Sequence, residues 1–264
     1  MAEMSFSSDV KKEILARTPQ SRHCKLARLS AIISLDCKIS VDMNGNRVIK
    51  LQTDNPEEEE AFLALVTDAL KTERFSGSPG EWEKVIASCH LKEYEEENGV
   101  FYIPDKIVTE RLCCKRNFLA AAFVCAGSVT DPEKGYHFEL AVGSKKISDM
   151  LAEIMMEFDL SAKVIARKGR FVVYVKEAEG ISDLLNVCEA HVSLMAFENA
   201  RIVKEVRNNI NRGVNCLAAN MKKAADASAK QVKDILFIQE HLGFGALDES
   251  LRDVAEKRLQ HPEV

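Results

Sequence analysis

The residues that could carry chemistry are first of all eight cysteines and six histidines in a chain of 264 residues. No two cysteines have the C-x-x-C spacing that is typical of redox and zinc motifs. A zinc site formed by Cys89, His90, Cys113 and Cys114 is conceivable, but the spacing of these ligands differs from that of the usual structural zinc sites. We therefore expect reduced and mostly buried thiols, with no metal and no cofactor.

The patterns of common enzymes are not evident in the sequence. It contains no P-loop, no glycine-rich dinucleotide fingerprint and no obvious Ser/His/Asp set. The histidines form no ligand cluster along the chain; they are His23, His90, His137, His191, His241 and His261. We expect no catalytic residue.

Charge is distributed unevenly along the chain. The whole chain carries a net charge of −5, yet residues 199–233 hold eight basic side chains against only Glu205 and Asp226. A polyanionic partner would be expected there. The alternative is that these lysines and arginines merely solvate one face of a long helix.

The periodicity of the chain predicts a repeated unit that would position these residues. From residue 113 the pattern predicts a helix, two strands, a helix, two strands and a closing helix. From residue 24 the order begins in the same way, with strands at 38–41 and 47–52 around a hairpin signal at 43–46. This order predicts an internal duplication of an αββαββα unit.

The first repeat and the C-terminal part depart from this pattern. Only residues 71–80 separate the helix predicted at 57–71 from the next one, which is too short for two strands of ordinary length. We therefore predict that the first repeat lacks its second strand pair. Beyond residue 190 the sequence predicts helices, interrupted near Gly213 and again at 242–248, with a last helix at 249–260.

Two apolar segments carry a resemblance to a known family. LSAIISLDC (29–37) and LAAAFVCAG (119–127) resemble the LAGLIDADG signature of homing endonucleases. Together with segments at 5–15, 113–140 and 201–238, they resemble the bacterial WhiA family over nearly the whole chain. That family is similar to a two-repeat LAGLIDADG scaffold joined to a C-terminal helix-turn-helix, which implies an α+β fold here.

The resemblance implies a DNA-binding regulator linked to sporulation and cell division. It implies two LAGLIDADG-like repeats at 1–110 and 111–190, a helical linker at 191–232 and a helix-turn-helix module at 233–264. Because the sequence stops at HPEV, we expect that module to be partial and to lack its recognition helix. The sequence offers no signal peptide and no apolar run of about 18 residues, so we expect a cytoplasmic, nucleoid-associated protein without membrane contact.

The resemblance also bears on nuclease chemistry. Homing endonucleases of this type place an acidic residue at the eighth signature position of each repeat, where the pair holds divalent metal. Here these positions are Asp36 and Ala126. Alanine offers no oxygen ligand, so Asp36 is interpreted as a vestigial metal-site position, and no DNA cleavage is expected.

DNA binding is then expected to rest on contacts between basic side chains and the phosphate backbone of double-stranded DNA. The candidates lie in the last predicted hairpin and in the long helical segment; they are Lys163, Arg167, Lys168, Arg170, Arg207, Arg212, Lys222 and Lys223. The competing hypothesis is a protein-interaction module, in which the helical arm binds a partner protein and DNA binding is weak or absent. An active endonuclease is disfavoured by Ala126.

Overall fold

The computed structural model describes residues 5–41, 47–53, 55–97 and 99–261. Contacts within the chain divide it into two compact units, Met1–Arg201 and Ile202–Val264.

The first unit contains an N-terminal helix and two related repeats. The N-terminal helix and the first repeat comprise α1 (Phe6–Leu15), α2 (Arg22–Asp36), β1 (Cys37–Val41), β2 (Arg47–Leu51), α3 (Pro56–Leu70), α4 (Pro79–Ser88), β3 (Leu91–Glu96) and β4 (Gly99–Pro104). The second repeat, after a short 3-10 turn at Lys106–Thr109, comprises α5 (Leu112–Ala126), β5 (Gly127–Val129), β6 (Phe138–Val142), α6 (Lys145–Met156), β7 (Lys163–Arg167), β8 (Arg170–Val175) and α7 (Ala178–Val187). The repeated order predicted from the sequence is confirmed.

Local sequence explains where several helices begin. Pro56 occupies the first turn of α3, and the side chain of Asn55 accepts a hydrogen bond from the backbone N–H of Glu57 at 3.0 Å. Ser144 caps α6 by accepting from the N–H of Ile147. Ser5 caps α1 by accepting from the N–H of Ser8.

The two repeats differ in how their strands pair. The second repeat forms one four-stranded antiparallel sheet in the order β5-β6-β8-β7. The described strands of the first repeat form two separate antiparallel pairs, β1-β2 and β3-β4. The hairpin signal at 43–46 lies outside the described residues.

The prediction that the first repeat lacks a second strand pair was wrong. The pair β3-β4 is present, but it follows an additional helix, α4, instead of following α3 directly. Leu91 and Tyr102 are buried at two positions of this ladder, where their burial stabilises the pairing.

The two repeats meet along α2 and α5, which pack together more extensively than any other pair of helices or helix and strand. Small side chains of both helices are buried, among them Ala27, Ser30 and Ala31 on α2 and Ala122 on α5. The Ser30 hydroxyl donates to the carbonyl of Leu26 at 2.7 Å, so that this polar side chain is satisfied within the packed region. The two signature segments therefore lie on helices that pack against each other.

An ion pair occurs at the same position of both helices. Lys25, the fourth residue of α2, pairs with Asp68 on α3. Lys115, the fourth residue of α5, pairs with Glu157 at the end of α6. The two repeats therefore share an ion pair at an equivalent position as well as the order of their helices and strands.

The second unit is helical. It contains the larger part of α8 (His191–His241), a 3-10 turn at Phe244–Ala246 and α9 (Glu249–Gln260). The predicted interruption near Gly213 was wrong, because α8 is one continuous helix of 51 residues. A single glycine costs about 1 kcal/mol in a helix interior, which a long helix can absorb. No helix among the described residues is long and apolar enough to cross a membrane.

We expect substitution of Ala31 by leucine to destabilise the first unit. Ala31 is fully buried and belongs to the same apolar cluster as Phe118 and Phe123 of α5, so a larger side chain would force the two helices apart. Overpacking of this kind costs about 1–3 kcal/mol of the free energy of unfolding, measurable by urea denaturation.

The matched control is Ala87→Leu, at an exposed position of α4, which is expected to change the free energy of unfolding by less than about 0.5 kcal/mol. Equal effects of the two substitutions would contradict the close packing inferred for α2 and α5.

Candidate nucleic-acid interface

The sheet of the second repeat has one buried face and one open face. Alternate residues of β6 and β8, including Phe138, Leu140, Val173 and Val175, are buried in the core of this repeat. The register of the ladder places Glu139 opposite Tyr174 and Ala141 opposite Val172 on the other face. A ligand of this sheet would therefore contact the second, open face.

The predicted basic residues of the hairpin converge on the open face. Lys163 pairs with Tyr174 and Arg167 pairs with Arg170, so the alternation of the strands puts all three cations on the side away from the core. Lys168 lies in the two-residue turn, where Lys168 and Gly169 have φ values of 51° and 75°, as a tight hairpin requires. None of these four cations forms an ion pair within the parts of the chain that the structure describes.

Tyr174 is a candidate contact that the sequence reasoning missed. Its ring lies on the same face as Lys163, with the Nζ atom of Lys176 5.2 Å from the ring centroid. An aromatic ring among cations suits stacking or packing against a nucleic acid. Glu139, a carboxylate on this face, is within hydrogen-bonding distance of His137 Nε2 at 3.1 Å. The alternation of β8 between apolar and polar residues could have indicated Tyr174.

The second unit carries a separate basic surface on α8. At 3.6 residues per turn, the basic residues from Lys204 to Lys233 fall within an arc of about 160° around this helix. This arc contains the predicted residues Arg207, Arg212, Lys222 and Lys223, all of them exposed.

The opposite side of α8 is apolar and equally exposed. Its residues recur at spacings of three and four and are between 47% and 72% exposed; they are Val203, Val206, Ile210, Val214, Leu217 and Met221. A helix with a basic stripe and an opposite apolar stripe can bind a polyanion on one side and an apolar surface on the other.

In each repeat, the eighth position of the signature is the last residue of its helix. Asp36 is the last residue of α2, and Ala126 is the last residue of α5. Both line one open cavity, together with Lys11, Lys38 and Arg170. The structure therefore places one carboxylate and one methyl group at the two signature positions that line this cavity.

The environment of Asp36 disfavours a charged carboxylate. Desolvation by burial and the nearby carboxylate of Glu58 raise the pKa of Asp36 to about 6, although Lys11 acts in the opposite direction. Glu58 is held by hydrogen bonds from Thr53 Oγ1 at 2.6 Å and Asn55 Nδ2 at 3.2 Å. Asp36 is not part of the group of described residues whose donor atoms could surround a metal ion.

The group of potential metal ligands in the structure differs from the zinc site considered from the sequence. The structure places Cys113 and Cys114 with His23 and Cys24, and the hypothetical grouping with Cys89 and His90 was wrong. Cys89 is buried in the apolar core of the first repeat, where residues 89 and 90 lead from α4 into β3. Burial and the neighbouring thiol of Cys113 raise the pKa of Cys24 to about 12, so the isolated thiol stays protonated.

Comparison with known families identifies two matches along the chain. The model of the WhiA LAGLIDADG-like domain matches residues 115–207. The model of the WhiA C-terminal HTH domain matches residues 210–264.

Curated relatives match nearly the whole chain. A probable cell division protein WhiA from Lachnoclostridium phytofermentans is 40% identical over 279 residues, covering 98% of this chain and 89% of the relative. Proteins of the same description from Clostridium novyi and Alkaliphilus oremlandii are 36% and 35% identical, covering 98% and 99% of this chain and 88% of each relative.

Solved structures support the fold. Full-length WhiA from Thermatoga maritima has a TM-score of 0.62 at 20% identity, covering 99% of this chain and 88% of that one. The isolated N-terminal LAGLIDADG domain of a WhiA protein has a TM-score of 0.51 at 16% identity, covering 70% and 91%. The predicted LAGLIDADG-like fold with a C-terminal helix-turn-helix region is confirmed.

We expect Asp36→Asn to stabilise the chain in a pH-dependent manner. The pKa of Asp36 lies above its ordinary value of 3.8, so the folded state holds its proton more tightly than the unfolded state, and the wild type loses stability as the pH rises from about 4 to about 6. Asparagine removes this loss. Because Asp36 is only half-buried, solvent screens this effect. The expected gain in the free energy of unfolding is about 1 kcal/mol at pH 7.5 and almost none at pH 4.

Urea denaturation at the two pH values measures this difference. Asp183→Asn, at an exposed position of α7, is the control and should change stability little at either pH. A stabilisation by Asp36→Asn that is the same at pH 4 and pH 7.5 would rule out the raised pKa as its cause.

Proposed function

Because the chain belongs to the WhiA family, we propose that it is a DNA-binding transcriptional regulator of cell division or sporulation without nuclease activity. The family descriptions supply the link to cell division and the helix-turn-helix region. The proposal includes the division into repeats at 1–110 and 111–190, a linker at 191–232 and a helix-turn-helix module at 233–264, in a cytoplasmic protein associated with the nucleoid.

The observation that carries DNA binding is the convergence of Lys163, Arg167 and Arg170 on one open sheet face. Three cations spaced along two paired strands can each meet a phosphate of a duplex backbone. Among the described residues these three side chains form no ion pair, so binding a phosphate would break none there. Lys168 at the turn extends the same surface.

The basic stripe of α8 would add a second set of phosphate contacts. The exposed residues Arg207, Arg212, Lys222 and Lys223 lie on one side of this continuous helix. Contacts of both kinds give affinity that falls steeply with salt and little discrimination between sequences. Sequence discrimination would have to come from base contacts by the helix-turn-helix region.

The proposed lack of cleavage follows from the donor atoms at the ends of α2 and α5. Asp36 is the carboxylate of one repeat, and Ala126 supplies no ligand from the other. Binding of DNA without cutting is the chemistry that this geometry supports.

A second candidate function is supported by the apolar stripe of α8. Six large apolar side chains from Val203 to Met221 are exposed along one side of the helix, where a partner protein could bury them. In this alternative the helical arm binds a protein, and DNA binding is weak or absent. Low-salt DNA binding discriminates between the two functions.

We expect the wild type to bind duplex DNA at 50 mM salt and to lose most of that affinity at 200 mM. The triple variant Lys163→Ala, Arg167→Ala, Arg170→Ala should reduce the slope of log affinity against log salt by about two to three, because each phosphate contact contributes about 0.9. Fluorescence anisotropy with a labelled duplex measures both quantities, and incubation with Mg²⁺ or Mn²⁺ should leave the duplex intact.

The control variant is Lys71→Ala, Arg74→Ala, Lys84→Ala, which removes the same charge from exposed positions of the first repeat. It should leave the slope almost unchanged. No binding of the wild type at 50 mM salt would favour the protein-partner function instead, and metal-dependent cutting would contradict the inactive site.

A further inference from the structure

Four potential metal ligands meet where the N-terminal ends of α2 and α5 come together. The donor atoms of His23, Cys24, Cys113 and Cys114 all lie within 4.8 Å of one another. The Nδ1 atom of His23 is 3.2 Å from the sulfur of Cys114, 3.3 Å from that of Cys24 and 3.9 Å from that of Cys113.

These distances are close to those of ligands around a single tetrahedral zinc ion. Zn–S and Zn–N bonds of about 2.3 and 2.05 Å place a nitrogen about 3.6 Å from each sulfur and two sulfurs about 3.8 Å apart. The three nitrogen–sulfur distances lie on both sides of this value. Three thiols and one imidazole are also a donor set of the kind found in closed structural zinc sites.

The ligands occupy equivalent positions in the two repeats. His23 and Cys24 are the second and third residues of α2, and Cys113 and Cys114 are the second and third residues of α5. The next residue of each helix is a lysine with the same kind of ion pair, which fixes the correspondence. Two ligands from each repeat therefore face one another across the local twofold axis of the helix pair.

The burial of the four residues also suits a structural ion. Cys24 and Cys114 are buried and His23 is half-buried, while Cys113 is exposed and opens the group to solvent. An ion could thus enter from the side of Cys113. A bound zinc ion with three thiolates would carry a net charge of −1 beside the positive ends of two helices, which favours it.

We propose that His23 Nδ1 and the thiolates of Cys24, Cys113 and Cys114 bind one zinc ion that joins the two repeats. On binding, each thiol releases its proton to solvent, and the four ligands complete the tetrahedron. No coordination position stays open for a substrate, so the site is structural. It fastens the N-terminal ends of the two helices whose opposite ends carry Asp36 and Ala126.

The test is metal binding by the full chain, purified anaerobically and freed of metal with a chelator. One equivalent of zinc per chain should bind, and Co²⁺ in its place should give a thiolate-to-cobalt charge-transfer band together with the visible bands of tetrahedral cobalt. Saturating zinc should raise the Tm of the first unit by about 5 °C or more.

The informative variant is Cys113→Ser, because Cys113 is exposed and its substitution leaves the core intact. It should weaken zinc binding at least tenfold and remove intensity from the cobalt charge-transfer band. Cys24→Ser should do the same from the other helix. The matched controls are Cys216→Ser, an exposed cysteine of the second unit, and Cys89→Ser, a buried one outside the group; both should bind zinc like the wild type.

Three results would overturn the proposal. They are a wild type that gives no cobalt charge-transfer band, zinc binding that is unchanged in Cys113→Ser, and a disulfide between two of the three cysteines in the anaerobically purified chain. The last result would be visible as a mass decrease and the loss of two reactive thiols.

Discussion

The close approach of α2 and α5 is the contact on which the rest of the first unit depends. Alanine and serine side chains line it, so the two backbones come near enough for each repeat to bury its signature helix against the other. Larger side chains would separate the helices, and the two apolar clusters beside them would lose part of their close packing. The packing of small side chains thus joins two repeats into one unit.

The same helix pair defines two sites at its opposite ends. At the C-terminal ends Asp36 meets Ala126, and the chemistry of paired carboxylates is reduced to one half-buried acid. At the N-terminal ends, about 20 Å away along helices of this length, His23 and three cysteines gather. A single carboxylate thus lies at one end of the helix pair, and donor atoms suited to zinc lie at the other.

Charge makes the two repeats unequal as binding surfaces. The open face of the second sheet carries Lys163, Arg167 and Arg170, whereas the β3-β4 hairpin and its turn contain four glutamates and one lysine. One of these glutamates, Glu96, has a structural function, because its carboxylate accepts from the Ser144 hydroxyl at 2.6 Å and from the N–H of Lys145 at 2.9 Å. A polyanion would therefore be attracted to the second repeat and repelled by this hairpin.

The sequence by itself determined the repeated elements, because hydrophobic periodicity, caps and turn residues act over a few neighbouring positions. The resemblance of its segments at 29–37 and 119–127 to a known signature indicated the family. It also located Asp36 and Ala126, since both sit at fixed places in a local signature. Only the tertiary structure decided how the strands of the first repeat pair, because ladder partners compete across the whole chain. Only the tertiary structure brought His23 close to Cys113, which is 90 residues away in the sequence. The four potential ligands come from two distant helices, so neither segment contains a recognisable metal-binding spacing.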